Sequence, residues 1–271
     1  MSTLNTTTIV LIGAGTMGQA LLKGLLAHGV QHRRLRAADA HPATRRQVHH
    51  RFGIAVSADA RAIIPGADVV ILSVKPQQFP DVVRLVRPIL RRRQLVISIA
   101  AGIRLAWLGR SLPGIPLMRV MPNLPAIVGC GFSALATGRG LPARHRAIGR
   151  AIFSAVGDVV ELPERHFDAV TAVSGSGPAY VFFLVQAWQA AAKALGLPAD
   201  VAGRAIGSTL GGSLCLLSES RDTPEVLIAK VASKGGTTEA ALKVLARRQV
   251  LPHFVEALRA AAKHSRQLSW S

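Results

Sequence analysis

The 271-residue chain has few aromatics, few acids and almost no cysteine. Aromatic residues make up 4% of it, with a single tyrosine, and they are not interleaved with basic residues as a single-strand-binding surface requires. The two cysteines, Cys130 and Cys215, lie in apolar, glycine-rich settings. They exclude a disulfide scaffold and point to a reducing compartment. Nine histidines show no metal-ligand spacing, so no metal site is expected. Apolar stretches are broken by charge, Gly or Pro before the ~18 residues that a membrane span needs, and Met1 to Thr8 form no signal sequence. The expectation is a cytoplasmic protein with no membrane partner.

Acids number 14 against 33 lysines and arginines, a net charge of +19. The arginines are spread along the chain, as in Arg33, Arg34 and Arg36 or Arg91, Arg92 and Arg93, with no single stripe. That distribution reads as a solvated basic surface able to attract acidic metabolites, and no nucleic-acid partner is expected.

Short apolar runs at residues 9–12, 35–38, 69–73, 95–99 and 117–120 alternate with helix-like segments at 17–28, 42–51 and 79–91. This is the pattern of a mostly parallel α/β sheet buried on both faces, which residues 132–137 and 159–162 extend. Beyond Glu164 the pattern changes to long Ala- and Leu-rich segments, predicted as helices over 166–173, 178–195, 199–218, 224–231, 238–245 and 251–269. Pro178, Pro198 and Pro224 each stand where a helix would start. The division is a Rossmann-like dinucleotide-binding domain over 1–164 and an all-α domain over 165–271. The second carries more apolar surface than a small bundle buries, which predicts a homo-oligomer, a dimer or an assembly of dimers.

Two glycine loops carry the chemistry. The first, Gly13-Ala14-Gly15-Thr16-Met17-Gly18, follows a strand and opens a helix, the dinucleotide-binding arrangement in which glycines permit the turn and close pyrophosphate approach. Asp39 lies 21 residues beyond Gly18, where an acidic residue binds a ribose hydroxyl; Arg45 and Arg46 stand where an arginine would instead meet a 2′-phosphate. NADH and NADPH therefore both stay open. Val74, Lys75 and Pro76 after one strand, and Ala100, Ala101 and Gly102 after the next, are further cofactor candidates, because ligands of such sheets dock at the carboxyl ends of strands.

The second loop, Ser233-Lys234-Gly235-Gly236-Thr237-Thr238, runs into a helix, whose free amides attract a carboxylate. Together with Val74-Lys-Pro-Gln77, Met121-Pro-Asn123 and Ala172-Val-Ser-Gly-Ser-Gly-Pro-Ala-Tyr180, it resembles the Δ1-pyrroline-5-carboxylate reductase family over nearly the whole chain. Departures are Thr16 for the family's usual Asn, Leu124 for Thr and Lys234 for Pro.

The resemblance implies reduction of the cyclic imine pyrroline-5-carboxylate to L-proline by NADPH or NADH, with NADPH favoured, and a helical domain that dimerises. It makes Ser233, Gly235, Gly236, Thr237 and Thr238 the substrate loop, with Thr238 the catalytic candidate that bonds the imine nitrogen and relays its proton. A plain helix cap is the other use for a threonine there. Glu164, Ser176 and Gly177 are further substrate-contact candidates. The Gly-Ser-Gly segment also resembles that of β-hydroxyacid dehydrogenases, but their lysine on the next helix has no early counterpart here, the first being Lys193. A related cyclic-imine reductase and a non-catalytic NAD(P)H-sensing or nucleic-acid-binding regulator are the alternative readings.

Overall fold

The computed structural model describes residues 2–270. They form two compact units, residues 2–178 with 261–270, and Ala179–Ala260.

The first unit is built on an eight-stranded sheet: β1 Ile9–Ile12, β2 Leu35–Ala38, β3 Ala55–Ser57, β4 Val69–Leu72, β5 Leu95–Ser98, β6 Leu117–Pro122, β7 Gly131–Thr137 and β8 Gly157–Glu161. Their order is β3-β2-β1-β4-β5-β6-β7-β8, and every neighbouring pair is parallel except β6 with β7. The period-2 geometry of a strand sends alternate side chains to opposite faces. Ile9 and Leu11 of β1 join a layer with Leu21, Leu25 and Phe153, while Val10 and Ile12 join a layer with Phe79, Val83 and Leu108. All four residues of β1, β4 and β5 are buried, which is why these strands read as unbroken apolar runs. β3 escaped the sequence reading because it is a three-residue edge strand, exposed or half-buried throughout.

The second unit holds most of Gly177–Ala194, then Ala199–Glu219, Pro224–Val231, Thr237–Arg247 and the start of Val250–Gln267. Few of its side chains are buried; Ala202 and Ile206 are the ones in Ala199–Glu219, and Gly177–Ala194 has none.

Two expectations are corrected. Gly175, Gly177 and Pro178 do not interrupt the helical path. A π turn over Thr171–Gly175 leads into Gly177–Ala194, with the Ser176 amide donating to the Thr171 carbonyl at 2.8 Å. Pro178 stands in the first turn of Gly177–Ala194, the position expected of it. The resulting run, Glu164–Ala194, is 31 residues long and passes a length-and-composition test for a membrane-crossing helix. The last helix ends at Gln267 rather than 269, and residues 268–270 leave it in another direction.

Candidate functional site

At the carboxyl end of β1, Gly13 has φ +91° and donates its amide to the Ala38 carbonyl at 2.8 Å. A Cβ there would come within 2.6 Å of the Ser73 carbonyl oxygen, and one on Gly18 within 2.8 Å of the Gly13 carbonyl. Both glycines are therefore required by packing. Gly15 differs: nothing lies within 4 Å of its Cβ position. It is the N-cap of helix Thr16–Ala27, with no side chain capping the first turn. Open space at Gly15, beside uncapped amides, is a space that a pyrophosphate fits and a Cβ would fill. Gly13, Gly15, Asp39, Thr44, Val74 and Lys75 line one cleft of about 340 Å³.

Other members of the expected cofactor set have different surroundings. Thr16 opens the helix on a neighbouring cleft, and Met17 packs against the core. Pro76 starts a single 3₁₀ turn, Pro76–Gln78. Ala100 is buried, Ala101 exposed, and Gly102 is the left-handed residue of the loop after β5.

Asp39 is committed to the backbone: one oxygen accepts the Ala14 amide and the other the His41 amide, each at 2.9 Å. It clamps the glycine loop to the loop after β2, and the Ala14 amide is engaged before any phosphate arrives. Arg45 donates from one guanidinium nitrogen, Nη1, to the Asp39 and Ala40 carbonyls at 2.9 and 2.8 Å, which braces this loop. The sequence reading missed Thr44, which enters the cleft wall because Pro42 starts a helix and brings Thr44 into its first turn.

In the second unit, Ser233 to Gly236 form a turn closed by the Gly236 amide on the Ser233 carbonyl at 3.0 Å, with Gly235 at φ +76°. A positive φ at the third position is the type II signature. Gly236 is the N-cap of Thr237–Arg247, with no side-chain cap. Thr238 is thus the second residue inside the helix and half-buried, not its cap.

The sequence suggested amides free for a carboxylate in this loop, but not all of them are. The Gly236 amide closes the turn, and the Gly235 amide donates to the Glu239 carboxylate. Lys243 pairs with Glu239 at 2.9 Å and, with the Gly235 amide, holds its carboxyl below the usual range. Thr237 and Thr238 keep first-turn amides that have no acceptor within the helix.

Glu164, a substrate-contact candidate, is tied into the first unit. One carboxylate oxygen accepts both the Leu105 amide and the Arg119 guanidinium at 2.8 Å. Arg119 is buried on β6 and stacks over Phe167, 4.9 Å from the ring centre. The pair ties three elements of the first unit together. Ser176 and Gly177 follow the π turn; beside them Asn123 donates to Ser174 Oγ at 3.1 Å and accepts the Phe132 amide at 2.8 Å. Asn123 stood in the Met-Pro-Asn motif without an assigned role, and the structure makes it a brace between β7 and that turn.

A mostly parallel sheet with a glycine loop after β1 and a cleft at its carboxyl edge defines a dinucleotide-binding oxidoreductase fold, and residues 8–102 match a family model described as NADP oxidoreductase coenzyme F420-dependent. Residues 164–268 match the model for pyrroline-5-carboxylate reductase dimerisation. Pyrroline-5-carboxylate reductase of Arabidopsis thaliana is 37% identical, covering 96% of this chain and 95% of the relative. That of Pseudomonas aeruginosa is 39% identical, covering 98% of each. The solved pyrroline-5-carboxylate reductase of Coxiella burnetii superimposes with a TM-score of 0.91 at 32% identity, covering 98% of this chain and all of that one. The chain belongs to the pyrroline-5-carboxylate reductase family.

Proposed function

We propose that this protein reduces (S)-1-pyrroline-5-carboxylate to L-proline with NADPH, and less well with NADH. The observation that carries the reading is the type II turn at residues 233–236, which delivers two unengaged amides and a threonine hydroxyl to one helix start. In this reading the Thr237 and Thr238 amides dock the substrate carboxylate. The Thr238 hydroxyl donates to the imine nitrogen and takes a replacement proton from water; with its high pKa it orients and relays rather than drives the transfer. The nicotinamide, when bound, supplies the hydride to the imine carbon. Ser233 and Gly235 shape the turn, and Gly236 keeps it tight because a Cβ would lie 2.5 Å from Ser233 Oγ. Gly15, Thr44, Val74 and Lys75 are the cofactor-cleft residues this reading uses.

The same reading divides the chain functionally at residue 164, with the dimer formed by the helical part in a cytoplasmic setting. The exposed Phe182, Phe183 and Leu184 are then covered by a second copy rather than by lipid.

Purified protein is expected to oxidise NADPH in the presence of pyrroline-5-carboxylate and to form proline in equal amount. Intact NADPH binding without turnover, or turnover of other cyclic imines only, would overturn the assignment.

A further inference from the structure

Residues 268–270, beyond the last helix, run back along the loop that follows β5. The Trp270 amide donates to the Gly102 carbonyl at 2.8 Å, and Ile103 and Trp270 pair as an isolated parallel bridge. The approach is so close that a Cβ on Gly102 would lie 2.7 Å from the Leu268 carbonyl oxygen, and Gly102 itself has φ +78°. The strap is moored at its base: Ser265 Oγ donates to Asp168 at 2.8 Å, and Ser269 Oγ to the Ser265 carbonyl at 3.0 Å.

Its side chain reaches further. The Trp270 ring meets Trp107 edge-on at 5.9 Å, and Trp107 meets Phe79 in the same way at 6.4 Å. Phe79 is fully buried and opens the helix directly behind the Pro76–Gln78 turn. One aromatic chain therefore connects the strap with the elements behind two loops at the carboxyl ends of neighbouring strands, β4 and β5, where a dinucleotide docks in this fold.

We propose that residues 268–270 are a positioning strap for the cofactor. Through the Gly102 carbonyl and the Trp270–Trp107–Phe79 chain, they hold the loops after β4 and β5 in the form that receives NADPH. Trp270 touches neither substrate nor cofactor in this scheme; it acts by removing the cost of ordering those loops on binding. The inference rests on the cofactor reading above.

The test measures NADPH affinity by calorimetry and steady-state kinetics for Trp270→Ala and Trp270→Phe. Trp270→Ala is expected to raise Kd and KM for NADPH about tenfold, with kcat and KM for pyrroline-5-carboxylate changed by less than about twofold; Trp270→Phe recovers most of the affinity. Linkage supplies a test on the unaltered protein. If the strap favours NADPH, NADPH must steady the strap, so hydrogen exchange at the Trp270 amide should slow about tenfold at saturating cofactor. Intact NADPH binding with unchanged exchange at Trp270, or a Trp270→Ala variant with unaltered NADPH affinity, overturns this inference alone. Failure of the unaltered protein to bind NADPH overturns the cofactor reading and the strap with it.

Discussion

The two compact units treat their apolar residues in opposite ways. In the first, β1, β4 and β5 are buried along their whole length between two helical layers. In the second, Phe183 is 71% exposed, Leu195 86% and Leu251 76%. Apolar burial supplies about 25 cal/mol per Å², so the first unit holds the larger share of what folds a single chain. The second needs a surface from elsewhere. The contrast extends to the two glycine loops: the cleft beside Gly13 and Gly15 has walls within the first unit, while the turn at residues 233–236 sits on the sparsely buried helices of the second.

The hardest test of this contrast is Phe183→Asp. Each copy would lose about 1.5–3 kcal/mol of Phe burial and would place a charge in the contact. The variant is expected to sediment as a monomer, and its Tm to lose the dependence on protein concentration that an obligate dimer shows. An intact dimer would mean that another face makes the contact.

Within the first unit, the matching experiment is Glu164→Ala, which leaves Arg119 buried without its partner. Breaking such a pair costs about 3 kcal/mol, toward the lower end of the known range because Glu164 is a quarter exposed. A lowered denaturation midpoint with an unchanged oligomeric state separates this effect from that of Phe183→Asp. A midpoint equal to that of the unaltered protein, with KM for pyrroline-5-carboxylate raised, would return Glu164 to the substrate-contact role.

The chemistry itself is probed by Thr238→Ala. Loss of the relay hydroxyl is expected to lower kcat about 10²-fold with a small change in KM, because the Thr238 amide still docks the carboxylate. Thr238→Ser should keep most of the rate. An alanine variant with normal kcat would leave the threonine without a catalytic part.

How much of this was legible in the sequence depends on whether a feature is local. Strands buried on both faces announce themselves as apolar runs, and Gly13 to Gly18 carry their own turn requirement. The turn at residues 233–236 was legible for the same reason, since Gly235 takes a positive φ. Features set by a distant partner were not. The Asp39 carboxylate appears free until the Ala14 amide is folded against it. Glu164 gave no sign of Arg119, 45 residues away, and Trp270 none of Gly102. Pro178 marked the start of Gly177–Ala194 as a proline commonly does, but the π turn over Thr171–Gly175 before it left no local signal. The antiparallel β7 was hidden since strand direction leaves no trace in composition.

The smallest expected effect is also the one that sharpens the loop. Lys234 occupies the second position of the type II turn, where proline is favoured because its fixed φ suits the turn. Lys234→Pro is therefore expected to stabilise the protein by about 0.4–1 kcal/mol, read as a small rise in Tm, by restricting the unfolded chain. Its effect on KM tells which property of lysine matters. A pre-formed turn lowers KM for pyrroline-5-carboxylate at every salt concentration. Loss of a cation that draws in the carboxylate raises KM at low salt and leaves it unchanged at high salt, where screening already removes the attraction. A fall in Tm would mean that residue 234 does not have the φ of a type II turn, and with it would go the geometry that presents the Thr237 and Thr238 amides.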